Sequence, residues 1–400
     1  MKTKRYDVAV CGAGVAGCAA AVAAARLGMK TVLIEKQCLL GGLATGGLIY
    51  IYLPLCDGFG KKVIGGISEE MIRRCMEYGP FDLPPRWGGP ADGDPGIFPE
   101  RYQCCFSPAG FCLTLDKMLL EAGVELQLDT MAVETRVEDG KVSGIVAADS
   151  SGMFGIEAEC FVDATGGAEI AMQAGCGVHR ETNYVTPWFI EASEKRKAFH
   201  LTGDLNVHCL GALKEKFRAD ECCREGSTTD FVRRSWRMIR AYYDGFTAEE
   251  RKKNYPVHLP TMPQFRKIAG IDSLYDLHDG DISADFPDSV GIAPDWRTPT
   301  PVWETPYRTL LPRNVKGLIA AGRNIGTTGE AWEVYRVIPT AAMTGEAAGT
   351  AAALAVSEGV ELRDVNIGLL QERLRRQGGI VFRSEIEKAE NQSLTRRKLI

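Results

Sequence analysis

At 400 residues with a formal net charge of −5, the chain has material for roughly two or three domain-sized units and no overall basic character. That balance argues against a nucleic-acid surface, and the basic clusters at 251–253 and 396–398 are short. Charges or glycines interrupt every apolar stretch well before the about 20 residues that a membrane span needs, so no span is expected.

The most telling segment is the first. Residues 6–11 predict a strand, Gly12-Ala13-Gly14-Val15-Ala16-Gly17 a glycine turn, and the Ala-rich run to Gly28 a helix. Residues 31–34 predict a second apolar strand, with Glu35 at its end. A dinucleotide site needs this order of parts. Gly12 allows the tight turn, Gly14 lets backbone approach a pyrophosphate, and Gly17 lets the helix lie close to the strand. The helix N-terminus offers unpaired N–H groups to phosphates, and Glu35 is placed to accept a ribose hydroxyl. Residues 1–5 followed by apolar residues also look like a signal peptide. Asp7 breaks that apolar run and cleavage before Cys18 would destroy the turn, so a cytoplasmic protein is expected.

Further along, GGLATGG at 41–47 is a glycine-dense loop suited to a flat or anionic neighbour. A helix is predicted from 68 to 78 with Ser68 as its N-cap, then an irregular Pro- and Gly-rich excursion at 79–99. A helix at 113–122, strands at 124–128 and 131–149, and a strand at 156–162 follow. Asp139-Gly140 folds the long strand into a hairpin. Between 178 and 306 charged, aromatic and Pro-punctuated segments dominate, with helices predicted at 229–243 and 248–254. Nucleotide-domain style returns with a buried strand at 315–321 and an Ala/Gly-rich helix at 339–356, and a last amphipathic helix covers 369–376. The charged tail from Ser384 is expected to be partly mobile. The thirteen cysteines show no zinc-type spacing, so no metal site is expected. Cys11, Cys18, Cys160 and Cys176 are expected to be buried thiols, and the vicinal pairs Cys104-Cys105 and Cys222-Cys223 are not expected to bridge.

Four separated blocks, GAGVAG with Glu35, GGLATGG, DATGG at 163–167 and the run 317–356, together resemble the FAD-dependent oxidoreductase family, related to the fumarate reductase and glutathione reductase flavoproteins. The resemblance implies an α/β fold: a Rossmann-like, glutathione reductase-type FAD-binding domain with an inserted α+β substrate or cap domain. The division it suggests is 1–177 and 307–365 for the FAD domain, 178–306 for the cap, and 366–400 for a C-terminal helix and tail. Non-covalent FAD is the implied cofactor, because no histidine lies near GGLATGG. The implied FAD contacts are Gly12, Gly14, Ala16, Gly17, Glu35 and Lys36 for the ADP half, and Gly41, Gly42 and Thr45 near the pyrophosphate and flavin. Val133 would meet adenine through its backbone. Ala164, Thr165 and Gly166 match the crossing near ADP, and Gly322 and Arg323 a second strand-turn. Pro339, Thr340 and Ala341 match the helix start that approaches the flavin pyrimidine ring.

One stretch departs from the family. Relatives carry a histidine where this chain has Gly329, and a Gly-Ser where it has Glu333-Val334-Tyr335. With FAD supplying the electron step, the protein must position a substrate and manage a proton. Arg336 is the leading substrate-side candidate, able to hold a carboxylate or stabilise an enolate or alkoxide; a salt bridge or a flavin contact is the competing role. Glu330, Glu333 and Tyr335, expected on a loop at this departure, are acid–base candidates, each weighed against a structural polar role. Arg266, Arg297 and Arg308 offer an anion pocket or interdomain ion pairs; Trp188, Trp296, Trp303 and Trp332 offer stacking surfaces or core. His179, beside an FAD motif, is read as structural before catalytic. Three functions stand open: oxidation or reduction of a small polar substrate (a hydroxy or unsaturated acid, or a carbohydrate derivative), electron transfer to a partner protein, and flavin binding with weakened catalysis. The oligomeric state is left open.

Overall fold

The computed structural model describes residues 1–91, 101–194, 200–202, 204–210, 215–299 and 302–386. Strand β1 (Thr3–Cys11), helix α1 (Val15–Arg26) and strand β2 (Thr31–Ile34) form the opening βαβ unit, with Val8 opposite Thr31 and Cys11 opposite Ile34 in a parallel pair. Helix α1 is buried from Val15 to Ala24, which explains its small apolar composition in place of an amphipathic pattern. A two-residue pair, β3 (Ile51–Tyr52) and β4 (Cys104–Cys105), brackets helix α2 (Gly66–Cys75). Helix α3 (Pro108–Ala122) leads to β5 (Glu125–Gln127), β6 (Met131–Glu138), β7 (Lys141–Asp149) and β8 (Gly152–Asp163).

These strands make one sheet in the order β5-β2-β1-β8-β7-β6. Its parallel part, β5-β2-β1-β8, gains the strand Leu318–Ala320 beside the C-terminal end of β8. The N-terminal end of β8 instead pairs antiparallel with β7, so one long strand serves two neighbours on the same side. Asp139 and Gly140 both take positive φ (49° and 76°), the type I′ geometry that their sequence predicts for the β6–β7 hairpin.

After the short helix α4 (Glu169–Gln173) the chain leaves this sheet. An antiparallel sheet of His200–Thr202, Leu205–Cys209, Trp188–Ser193 and Asn254–His258 is accompanied by α5 (Ser227–Asp244) and α6 (Ala248–Lys253). Around Val185, Phe189, Phe217, Phe231, Met238 and Phe265 these segments build a hydrophobic cluster separate from the main core. Helix α7 (Gly329–Tyr335), helix α8 (Ile338–Glu358) and helix α9 (Ile367–Arg376) complete the described chain.

Three local expectations change. Ser68 does not cap α2: Gly65 holds the N-cap position, and Ser68 lies one turn in, fully buried, donating its hydroxyl to Pro339 O (3.0 Å) at the start of α8. Residues 329–335 form a helix where sequence suggested a loop, because a left-handed Gly329 (φ 58°) allows Thr328 to turn directly into it. The helix predicted from 113 begins at Pro108, with Ser107 accepting from Gly110 N (3.2 Å) as its cap. Part of the excursion predicted at 79–99, and the tail from 387, lie outside the described residues.

Glu346 is the least comfortable group in this core. It lies on α8, 3% exposed, with Oε2 accepting from Ile67 N (2.9 Å) at the start of α2 and Oε1 lacking any hydrogen-bond partner. Burial outweighs that bond and the nearby Arg26, pushing its carboxyl from 4.5 up to about 8. The folded state therefore binds a proton that the unfolded chain has released. The stabilisation is full below pH 4.5 and is lost as pH rises through about 8. Glu346→Gln keeps an acceptor for Ile67 N and removes the titration. Its melting temperature should gain on wild type as pH rises from 5.5 to 8.5; parallel curves for the two proteins would contradict the assignment.

Candidate functional site

The C-terminal ends of β1, β2 and β8 converge on an open cleft of about 980 Å³, counting the solvent at its mouth. Its floor is the glycine turn. Gly12 has φ 94°, and a Cβ there would stand 2.7 Å from Ala164 O, so turn and β8 touch through backbone. A Cβ on Gly17 would overlap the Gly12 carbonyl, whereas Gly14 has nothing within 4 Å of that position: its missing side chain is open space. Glu35 accepts from Ala13 N (2.7 Å) and Gln37 N (2.9 Å), and burial lifts its pKa against those two bonds. Lys36 pairs with Glu169 (2.9 Å) at the rim.

The GGLATGG loop is tied to this floor by Gly41 N donating to Ala13 O (2.7 Å). Gly41, Gly42, Leu43 and Ala44 then face the cleft. Thr45 does not; its buried hydroxyl donates to Leu40 O and locks the turn. The β6 side of the cleft is built by Thr130, Met131 and Ala132, while the Val133 side chain is exposed and does not line it. Ala164, Thr165 and Gly166 line the opposite wall. Behind them Asp163, fully buried, accepts from Thr165 N (3.1 Å), Thr165 Oγ1 (2.7 Å) and Ala171 N (2.9 Å).

Gly322 and Arg323 close the cleft from the strand Leu318–Ala320, and Ile338 and Ala341 from α8. Pro339 and Thr340 are buried and turned into the core. Arg323 donates from Nε to Gly166 O (2.9 Å) and from Nη1 to Phe265 O, joining the cap segment to the sheet segment. The cap reaches the glycine loop as well, through Thr261 N to Gly46 O (2.9 Å) and Gln264 Nε2 to Gly47 O.

Arg336 projects into the same cleft. Its Nε donates to Glu333 Oε2 (2.7 Å), and its guanidinium lies over the Trp296 ring at 5.8 Å. Glu333 also meets Lys267 Nζ (2.9 Å), which is paired with Glu181 as well. Burial raises the Glu333 carboxyl, but Arg336 and Lys267 outweigh it and hold it ionised. With both oxygens engaged, Glu333 orients Arg336 rather than offering a free base. Tyr335 is fully buried outside the cleft, its hydroxyl shared with Thr305 (2.9 Å) and Glu304 O (3.2 Å). Glu330 is paired with Arg297 at the surface. His179 is taken by Thr327 O (2.6 Å) and packs against Trp332. Trp303 and Trp332 are core residues; Trp188 and Trp296 retain partial exposure.

Gly329, at the position where the family resemblance implies a histidine, takes φ 58°, and a Cβ there would stand 2.7 Å from Asp279 Oδ1. Its N–H donates to Glu181 Oε1 (2.8 Å). Any side chain here would adopt a left-handed backbone and press on the Asp279 carboxylate. Sequence reasoning missed Lys267 and Glu181, which are distant in the chain and carry no motif.

The model of the family described as FAD dependent oxidoreductase matches residues 7–193 and 232–374. The chain belongs to that family. It is similar to the tRNA uridine 5-carboxymethylaminomethyl modification enzyme MnmG of Thermodesulfovibrio yellowstonii, 31% identical over 166 residues, which is 38% of this chain and 23% of the relative. The same enzyme of Geobacter sulfurreducens is 43% identical over 70 residues, 15% of this chain and 11% of the relative. The chain thus spans less than a quarter of the length of these curated relatives. In fold it is similar to a geranylgeranyl bacteriochlorophyll reductase-like protein from Thermoplasma acidophilum, with a TM-score of 0.50 at 14% identity over 94% of this chain and 85% of the other.

The family's FAD fits the residues present. The open space at Gly14 beside the N-terminus of α1 suits a phosphate, and the glycine turn, Glu35 and the GGLATGG loop line one continuous cleft.

Proposed function

We propose that this FAD-dependent oxidoreductase transfers a hydride to or from a small polar organic substrate that carries an acidic group. The supporting observation is Arg336, a cation in the wall of the cofactor cleft whose fork is aimed by Glu333 and backed by Trp296. FAD, when bound, supplies the hydride chemistry. Arg336 holds the substrate's carboxylate or a developing oxyanion, and the Lys267–Glu333 pair keeps its orientation. Hydroxy and unsaturated acids suit this cation better than neutral carbohydrates do, since Trp303 and Trp332 are buried and cannot stack on a sugar.

A second reading, flavin binding with weakened turnover, draws support from Gly329, which stands where the family resemblance implies a histidine and offers no side chain of its own. One experiment separates the two. The oxidised holoprotein is mixed anaerobically with hydroxy acids, and the photoreduced holoprotein with unsaturated acids, while the flavin absorption bands are followed. Bleaching or reoxidation by an acid supports the oxidoreductase reading with an acidic substrate. Reaction only with neutral sugars would remove the acidic-substrate part. No reaction with any class would favour the weakened form.

A further inference from the structure

The cap enters the cofactor cleft through one residue. Among the described residues of 178–306, Met262 alone lines the cleft; the other lining residues fall within 11–169 and 321–341. Met262 is half-buried, on an irregular stretch of chain with Pro260 before it and Pro263 directly after it. Proline fixes its own φ at about −65° and holds the residue before it extended, so this stretch has little slack.

The stretch is tied to two walls of the cleft. On the glycine-loop side, Thr261 N donates to Gly46 O (2.9 Å), Gln37 Nε2 to Thr261 O (3.4 Å), and Gln264 Nε2 to Gly47 O. On the other side, Phe265 O accepts from Arg323 Nη1, while Arg323 Nε donates to Gly166 O (2.9 Å). Residues 261–265 therefore form a strap from the glycine loop to the wall that follows β8, with Met262 in the cleft between them. Gln264, 3% exposed, also fastens the strap to the cap strand Trp188–Ser193: its Oε1 accepts from Trp188 N (3.0 Å) and its Nε2 donates to Trp188 O (3.2 Å). Gly46 records the fit. A Cβ there would stand 2.8 Å from Thr261 Oγ1, so this glycine of the GGLATGG loop makes room for the strap and does not itself line the cleft.

We propose that Met262 is a cofactor-retaining residue: its side chain closes over bound FAD, and the strap 261–265 must lift before FAD enters or leaves. A thioether suits this role, being apolar, flexible and polarisable against a flat ring system. The cap then acts before any substrate arrives, and cofactor exchange is limited by the opening of the strap. The inference rests on the family's FAD and on the lining of the cleft, not on Arg336, so it is tested separately from the acid-substrate reading.

The test follows FAD and not turnover. FAD-loaded wild type, Met262→Ala, Met262→Leu and Gln264→Ala are diluted, and released FAD is measured by its fluorescence. Titration of each apoprotein with FAD gives the dissociation constant, and melting of apoprotein and holoprotein reports the scaffold. Met262→Ala should raise the release rate and the dissociation constant about tenfold, with the apoprotein melting as wild type does. Met262→Leu keeps the volume and should restore most of the retention. Gln264→Ala unties the strap from outside the cleft and should also speed release. Unchanged release and affinity in Met262→Ala would overturn the proposal. So would faster release in Met262→Ala but not in Gln264→Ala, because the contact would then not depend on the strap. An apoprotein of Met262→Ala that loses as much melting temperature as its holoprotein would make Met262 a packing residue of the cap and overturn the proposal too. Should an alanine variant not fold, Met262→Val and Gln264→Met carry the same decision.

Discussion

Gly345→Val is expected to yield a protein that neither holds FAD nor reaches the wild-type melting temperature. Gly345 and Gly349 lie one turn apart on α8 and face the backbone of α1; a Cβ on either would overlap a carbonyl oxygen, that of Ala16 or of Ala20. The obstacle is backbone, so no side chain can swing aside and the two helices must part. Overpacking costs typically about 1–3 kcal/mol and occasionally more, against a total stability of about 5–15 kcal/mol. The displaced helix α1 also carries the phosphate-binding N-terminus behind Gly14, so cofactor affinity falls with stability. Thermal unfolding and FAD content of the purified protein read both effects. Gly345→Ala should show the same defects in milder form. A valine variant with full flavin and an unchanged melting temperature would mean that the α1–α8 crossing is looser than described.

The second large effect is on turnover. Arg336→Ala should lower kcat/KM about 100- to 1,000-fold towards whichever acid reduces or reoxidises the flavin, the loss usual for removing one charge-stabilising donor. Arg336→Lys keeps the charge and loses the fork, so it should recover only part. Because Glu333 aims the guanidinium through a bond of 2.7 Å, Glu333→Gln should follow in the same direction by a smaller factor. Glu333→Gln acts through Arg336, so a double variant should be no worse than Arg336→Ala alone. Equal kcat/KM for wild type and Arg336→Ala would remove Arg336 from the reaction.

The cofactor end of the site was legible in the chain because its parts are local. A strand, a turn needing φ 94° at Gly12, a helix that must touch that turn at Gly17, and Glu35 at the next strand end follow one another within about thirty positions. Local geometry demands particular residue types there, and glycine or a carboxylate records the demand. Val133 marks the limit: the resemblance points to β6, whose Met131 and Ala132 line the cleft, and how that strand lies there depends on its pairing with β7, which shifts between Ala132 and Glu134.

The substrate end was not legible, for the opposite reason. Arg336, Glu333, Lys267 and Glu181 come from three distant segments, and nothing in their local sequence says which cation meets which carboxylate. Tyr335 and Glu333 looked alike as acid–base candidates two positions apart. The helical turn of α7 sends one into the core against Thr305 and the other towards Lys267. The α/β fold, the FAD family and the glycine turn were readable from the order of residues, because short-range steric requirements dictate residue types there. The pairing of Arg297 with Asp295 and of Arg308 with Asp288, and the joint hold of Lys267 and Arg336 on Glu333, became visible only in the folded chain. Those are outcomes of long-range packing and electrostatics, which depend on distances between segments that the order of residues does not state.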